Sequence, residues 1–187
     1  EAHGPGLSIL FTPWGEALVR RWYREAMVRL SHRVARVAAQ TNLSMKLDWL
    51  EQANLDSLAL WTTWHPGECS LERFLRQTAR LDAMGVRYSV GVVGLREHFD
   101  AIRDLRARTS APLWVNAYKR EPDYYSDDER AWLNEVDPRF DDNREHPSLG
   151  RACRAGSTHF TVDGEGWVRR CHFVDEAPLG NLYTGAL

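Results

Sequence analysis

The sequence predicts an α/β fold, a parallel sheet covered by helices, followed by a small β-hairpin unit. Three observations predict it. Short apolar, β-branched runs alternate with longer amphipathic stretches through the first 136 residues. The runs begin near residues 7, 36, 58, 87 and 113, a spacing that right-handed βαβ units produce. After a polar, proline-bearing connector, two short β segments flank Asp163-Gly164-Glu165-Gly166, and paired segments around Asp-Gly signal a hairpin. The expected organisation is 1–136 for the sheet and its helices, 137–150 for the connector, and 151–187 for a separate small unit.

Each element has its own local reason. Leu7 to Thr12 reads as a buried strand ended by Pro13, and Leu18, Trp22, Ala26 and Leu30 keep one apolar helical face between Gly15 and Ser31. Arg36 to Thr41 is the second strand, and Ser44 to Gln52 a short helix. Leu58 to Thr63 is the third strand, closed by His65-Pro66. Ser70 caps the next helix, Leu71, Phe74, Leu75, Thr78 and Leu81 share its face, and Gly85 ends it. Arg87 to Val93 forms the fourth strand, followed by a helix on Phe99, Ile102 and Leu105. Pro112 opens the fifth strand, Leu113 to Tyr118, and Ser126 with Glu129 makes a capping box.

Composition sets limits. The chain has 187 residues with 24 basic and 26 acidic side chains, a net charge of −2. That balance argues against a broad nucleic-acid or anionic-membrane surface, which needs a basic excess. No apolar stretch approaches the roughly 18 residues of a membrane span, and the polar start resembles no signal peptide. A cytoplasmic location is expected. Cys69, Cys153 and Cys171 are too few for a disulfide scaffold and point to thiols or metal ligands. Eight Trp promise large aromatic surfaces in a core or around a pocket.

In parallel α/β folds, sites form where the carboxyl ends of strands meet loops and helix N-termini. Here the strands end in polar or glycine-bearing groups: Trp14-Gly15-Glu16-Ala17, Thr41-Asn42, Thr63-Trp64-His65, Gly94-Leu95-Arg96-Glu97 and Asn116. The order of these segments resembles the radical S-adenosylmethionine enzymes. Trp14-Gly15-Glu16-Ala17 stands where that family has Gly-Gly-Glu-Pro, and Val90-Gly91-Val92-Val93-Gly94-Leu95-Arg96-Glu97 is similar to its G-x-I-x-G-x-x-E segment. The resemblance implies a partial (β/α)6 TIM-like barrel whose strands two to six are the five found here. It implies that Gly15 and Glu16 hold the amino end of the cofactor methionine, and that Val92 and Gly94 lie against its adenine. Asn42, Thr63 and Asn116 occupy strand ends, where the resemblance implies polar contacts to the ribose or the methionine carboxylate. Trp61, Trp64 and Trp114 pack in the core or line the barrel interior.

Cys153, Gly166 and Cys171 form a C-x12-G-x4-C segment, followed by Leu179-Gly180-Asn181. This resembles the start of the twitch or SPASM extension, which carries an auxiliary iron–sulfur cluster, with Cys153 and Cys171 as the implied metal ligands. Thiolates are natural iron ligands. Cys69 has no spaced partner and reads as structural. The implied activity is reductive cleavage of S-adenosylmethionine by a [4Fe–4S] cluster, fed by an external electron donor, to start radical chemistry on a small-molecule or peptide substrate.

The family's C-x3-C-x2-C is nowhere in this chain. With a first residue that is not Met and strands that do not close a barrel, the expectation is a fragment, inactive alone, with unpaired sheet edges. Two other readings stand beside it: a metal-dependent (β/α)-barrel hydrolase or isomerase using His65, Glu97 and His98, and a zinc-binding interaction module on Cys153, Cys171, His159 and His172.

Overall fold

A computed structural model describes residues 6–148, 150–174 and 176–185. Residues 1–5 of the polar start lie outside it, as do Leu149 of the connector, Asp175, and the last two residues. The chain forms two compact units that divide between His146 and Pro147.

The first unit is built on five parallel strands, β1 (Ser8–Phe11), β2 (Arg36–Thr41), β3 (Leu58–Trp64), β4 (Arg87–Val93) and β5 (Leu113–Asn116), in the spatial order 1-2-3-4-5. The order never reverses. Right-handed crossovers that always step the same way place every connecting helix on the same side of the sheet. The side chains agree. One face carries Val37, Ala39, Leu58, Leu60, Val90, Val92 and Val115, all at 2% exposure or less. The alternate residues Gln40, Ala59, Trp61, Ser89, Val93 and Trp114 are only half-buried, and Asn116 is exposed.

The helices supply the other half of the core. α1 (Arg21–Ser31) buries Met27, α2 (Leu71–Met84) buries Phe74 and Leu81, and α3 (Phe99–Arg108) buries Ile102 and Leu105. α4 (Asp127–Val136) buries Leu133. The caps of α2 and α4 form as expected: the Ser70 hydroxyl accepts from the Arg73 N–H, and the Ser126–Glu129 box is complete in both directions. Gly85, at φ +72°, closes α2.

The short helix expected from Ser44 to Gln52 is a 3-10 turn over Asp48–Gln52 alone, and two further expectations change. The helix expected from Gly15 starts at Arg21, because the Glu16 carboxylate caps a single 3-10 turn, Ala17–Val19, and Arg20 is extended. The connector is not simply polar linker. It holds α5 (Phe140–Arg144), whose Phe140 is fully buried, and the first unit runs on to His146. This segment also closes one sheet edge that the sequence left unpaired. Asp137 Oδ2 accepts from the Val115 N–H and Asn143 Oδ1 from the Ala117 N–H, both at 2.9 Å. Side chains thus take the outward N–H groups of β5, a built-in remedy for an edge. Among the described residues, β1 has a strand neighbour on one side only.

The second unit is a three-stranded antiparallel sheet of β6 (Thr161–Val162), β7 (Trp167–Arg169) and β8 (Gly180–Asn181), one strand more than the expected hairpin. Asp163 Oδ1 accepts from the N–H groups of Glu165 and Trp167, which shapes the turn between β6 and β7.

Asp137→Ala should cost about 1–3 kcal/mol, because it leaves the buried Val115 N–H without an acceptor. Asp142→Ala, which removes one exposed ion pair with Arg139, should stay within about 0.5 kcal/mol. Urea unfolding of the two variants checks the difference.

Candidate functional site

Because all five strands are parallel, their carboxyl ends lie along one edge of the sheet, and four of the five end loops are locked to a neighbour. The lock at β1 and β2 is Glu16. Its Oε1 accepts from the Leu18 N–H at 2.9 Å and the Thr41 hydroxyl at 2.8 Å, and its Oε2 from the Asn42 N–H at 2.6 Å. Gly15 beside it has φ +76°, with open space where a β-carbon would stand, so the backbone conformation alone requires glycine.

The β2 loop is held from every side. The Thr41 hydroxyl accepts from the Leu43 N–H, Asn42 Oδ1 accepts from the Ser44 N–H, and the Gln77 amide of α2 donates to the carbonyls of Leu43 and Met45. Leu43 is thereby kept at φ +57°, a conformation that a leucine holds only under such constraint. Asn42 retains its Nδ2 donor. It borders a recess of about 120 Å³ with Trp64, His65, Cys69 and Gln77.

On the half-open face, β3, β4 and β5 bring together Thr63, Gly91 and Trp114 in register. The indoles of Trp61 and Trp114 meet edge to face, 5.1 Å between centroids. Trp114 lies over Gly91, where a β-carbon would overlap its ring. Thr63 is 8% exposed, and its hydroxyl and the Trp114 Nε1 are buried with no hydrogen-bond partner among the described residues. Buried polar atoms without partners are rare enough to mark a place for a ligand or water. Asn116 lies two residues farther along β5 on the same face, in register with Val93.

Strand alternation separates the remaining expected residues. Val92 is in register with Trp64 and Val115 and is fully buried, so it belongs to the helix side, and Val93 occupies the half-open face instead. Gly94 is packed tightly: a β-carbon would come within 2.9 Å of Val115 and 3.0 Å of the Tyr125 hydroxyl. That hydroxyl donates to the Gly94 carbonyl and accepts from the Tyr118 N–H, which ties the β4 loop to the β5 loop. Burial raises the Tyr125 pKa, so the phenol keeps its proton. Next to it the Arg96 guanidinium makes two bonds to Glu129, at 2.8 and 3.0 Å, and stacks over Tyr124. The Arg96 bond holds the Glu129 carboxyl below its ordinary range.

In the second unit, Cys153 Sγ accepts from the Ala155 N–H and Cys171 Sγ from the Phe173 N–H, each at 3.4 Å. The segments carrying the two cysteines are adjacent, since a β-carbon on Gly156 would stand 2.8 Å from Arg170 Cβ. No three His, Cys, Asp or Glu side chains gather into a metal-holding group among the described residues. His65, Glu97 and His98 are therefore not assembled, and neither are Cys153, Cys171, His159 and His172.

Sequence reading placed Thr41 and Arg96 only at strand ends and Glu129 only in a cap, without their contacts, and missed Gln77 and Tyr125. Counting strand parity would have moved Val92 to the helix side; nothing local announces the Tyr125 or Gln77 contacts, which span 31 and 34 residues. No protein-family model matches this chain, and no curated protein matches it. No helix among the described residues is long and apolar enough to cross a membrane.

Glu16→Gln should destabilise the protein by about 1.5–3 kcal/mol, the range for bonds to a charged acceptor, while the exposed Glu97→Gln changes little; thermal unfolding compares them. The Arg96–Glu129 pair has an acid signature. A carboxyl whose folded pKa is depressed adds stability above its unfolded pKa of about 4.3, and that stability is lost as pH falls through the folded value. Glu129→Gln should therefore lower stability at neutral pH, flatten the acid limb of the stability–pH curve, and converge with the unsubstituted protein at low pH, as urea unfolding across pH would show.

Proposed function

We propose that this chain is part of a radical S-adenosylmethionine iron–sulfur enzyme, with its five strands as strands two to six of a partial (β/α)6 barrel. The half-open sheet face carries this reading. An unreversed sheet leaves one face without helices, and just beneath that face lie the orphaned Thr63 hydroxyl of β3 and Trp114 indole N–H of β5, with the exposed Asn116 amide at the end of β5. The sheet is finished at β5 by Asp137 and Asn143, as a partial barrel requires of its last strand.

The polar groups suit the cofactor. Thr63 and Asn116 offer hydrogen bonds to ribose hydroxyls or a carboxylate, and Asn42 Nδ2 adds a donor at the neighbouring loop. Gly15 and Glu16 fix that loop. Most of the Glu16 acceptor capacity is spent on Leu18, Thr41 and Asn42, so its main work is positioning, with an Oε2 lone pair left for an ammonium. The Gly94 backbone is held by Tyr125 beside the place of the base, and Trp61 and Trp114 shield that face from water. When bound, S-adenosylmethionine and a reduced [4Fe–4S] cluster supply the radical initiation.

Cys153 and Cys171 are the two sulfur ligands this chain offers to an auxiliary cluster. The reducing cluster needs cysteines from outside this chain, since C-x3-C-x2-C is absent here. An external electron donor and a small-molecule or peptide substrate belong to the same reading, as does a reducing, cytoplasmic compartment.

Anaerobic reconstitution with iron and sulfide, with calorimetry of S-adenosylmethionine binding, tests the proposal. The expected result is visible iron–sulfur absorption lost in Cys153→Ser and Cys171→Ser, and cofactor binding weakened about tenfold by Thr63→Val, the loss of roughly one hydrogen bond. Stoichiometric zinc without that absorption supports the zinc module instead, and absent cofactor binding overturns the radical-enzyme reading of the barrel.

A further inference from the structure

The net charge of −2 conceals a strong internal asymmetry. Residues 20–36 hold six arginines against Glu25 alone, a net of +5. Residues 121–145 hold ten carboxylates against three arginines, a net of −7. The fold keeps these segments apart. α1 packs beside β2, and α4 and α5 pack beside β5, three inter-strand steps of about 4.8 Å, or roughly 14 Å, apart. They cannot neutralise each other within one molecule.

Both segments present a defined face. On α1, Trp22 and Arg29 stand seven residues apart on the exposed side, continued by Arg33, and Trp22 is 53% exposed. Arg29 and Arg33 have no carboxylate partner among the described residues, whereas Arg21 is paired with Glu25. On α4, the exposed residues Asp128, Ala131 and Glu135 share a face at i, i+3 and i+7. Asp128 and Glu135 likewise have no basic partner among the described residues, and the small Ala131 between them leaves room for a large side chain. Beside α1, the exposed Leu7, Leu10 and Val19 add apolar surface.

We propose that the α1 face docks on the α4 face of a second copy of this chain, with Arg29 and Arg33 against Asp128 and Glu135, and Trp22 over Ala131. The contact joins two different surfaces, so it is head to tail and builds a ring or a chain. It stands independently of the radical-enzyme reading. Opposite charges in partly desolvated contact set the register and make the association salt-sensitive.

The test is sedimentation velocity of the 187-residue chain at low and high salt, with circular dichroism to verify folding. Species larger than a monomer are expected at low salt and should dissociate at high salt. The double variants Arg29→Glu/Arg33→Glu and Asp128→Lys/Glu135→Lys should each self-associate at least about tenfold more weakly, since like charges now meet. Mixed in equal amounts, they should associate again, because both alternating contacts then bring opposite charges together. A monomer under all conditions overturns the proposal. So does assembly that ignores the substitutions, or that fails only with the arginine variant, because α1 would then meet something other than the acidic face.

Discussion

Everything in the first unit depends on the direction of winding. Each crossover is right-handed and steps to the next strand on the same side, so the helices have one face of the sheet to cover and never the other. The two faces accordingly have different chemistry. Val, Leu and Ala fill the side under the helices, where Val37, Leu58, Val90 and Val115 are sealed from water. The other side carries Gln40, Trp61, Thr63, Ser89, Trp114 and Asn116, a set ill-suited to a dry core. Winding alone thus creates a surface that a doubly wound sheet would have buried.

That surface gains its precision from the loops above it. A loop ordinarily gives up order to solvent, yet here the β1 and β2 ends are joined through one carboxylate and the β4 and β5 ends through one phenol. Each lock crosses from one βα unit to another, so distant parts of the sequence hold each other in place. Leu43 measures the stiffness of this arrangement. Its left-handed backbone costs about 1–3 kcal/mol, which the bonds from Thr41, Asn42 and Gln77 offset. Gly91 and Gly94 serve the same end by absence, because each leaves the space that Trp114 or Tyr125 fills.

The strands and most caps were legible in the sequence because their causes are local. Ser70 and Gly85 act within one helix, and Ser126 finds Glu129 three residues away. The errors have physical causes too. Apolar spacing from Leu18 to Leu30 described a helix, but it could not reveal that Glu16 was committed to Thr41 and Asn42 and would hold the chain out of helix until Arg21. The run at 137–150 read as polar linker because Asp137 and Asn143 are polar. Their polarity answers the N–H groups of β5, 22 and 26 residues earlier. At the site, the strand-end residues were legible from position, whereas Val92 was misplaced by one step of the pleat.

The two sheet edges show why composition alone misleads about surfaces. At β5, acidic and amide side chains fold back to satisfy the strand, and the same segment accumulates the negative charge of α4 and α5. At β1 no described side chain performs that task, and the neighbouring helix is rich in arginine. A nearly neutral total is what two opposite, spatially separated excesses produce, so the whole-chain charge excludes less than it first suggests. The argument against a broad basic surface holds for the molecule as a sum and fails for α1 by itself. What α1 lacks is a carboxylate bonded to Arg29 or Arg33 among the described residues, and the larger acidic excess stands three strands away, beyond the roughly 8–10 Å over which exposed charges interact at physiological salt.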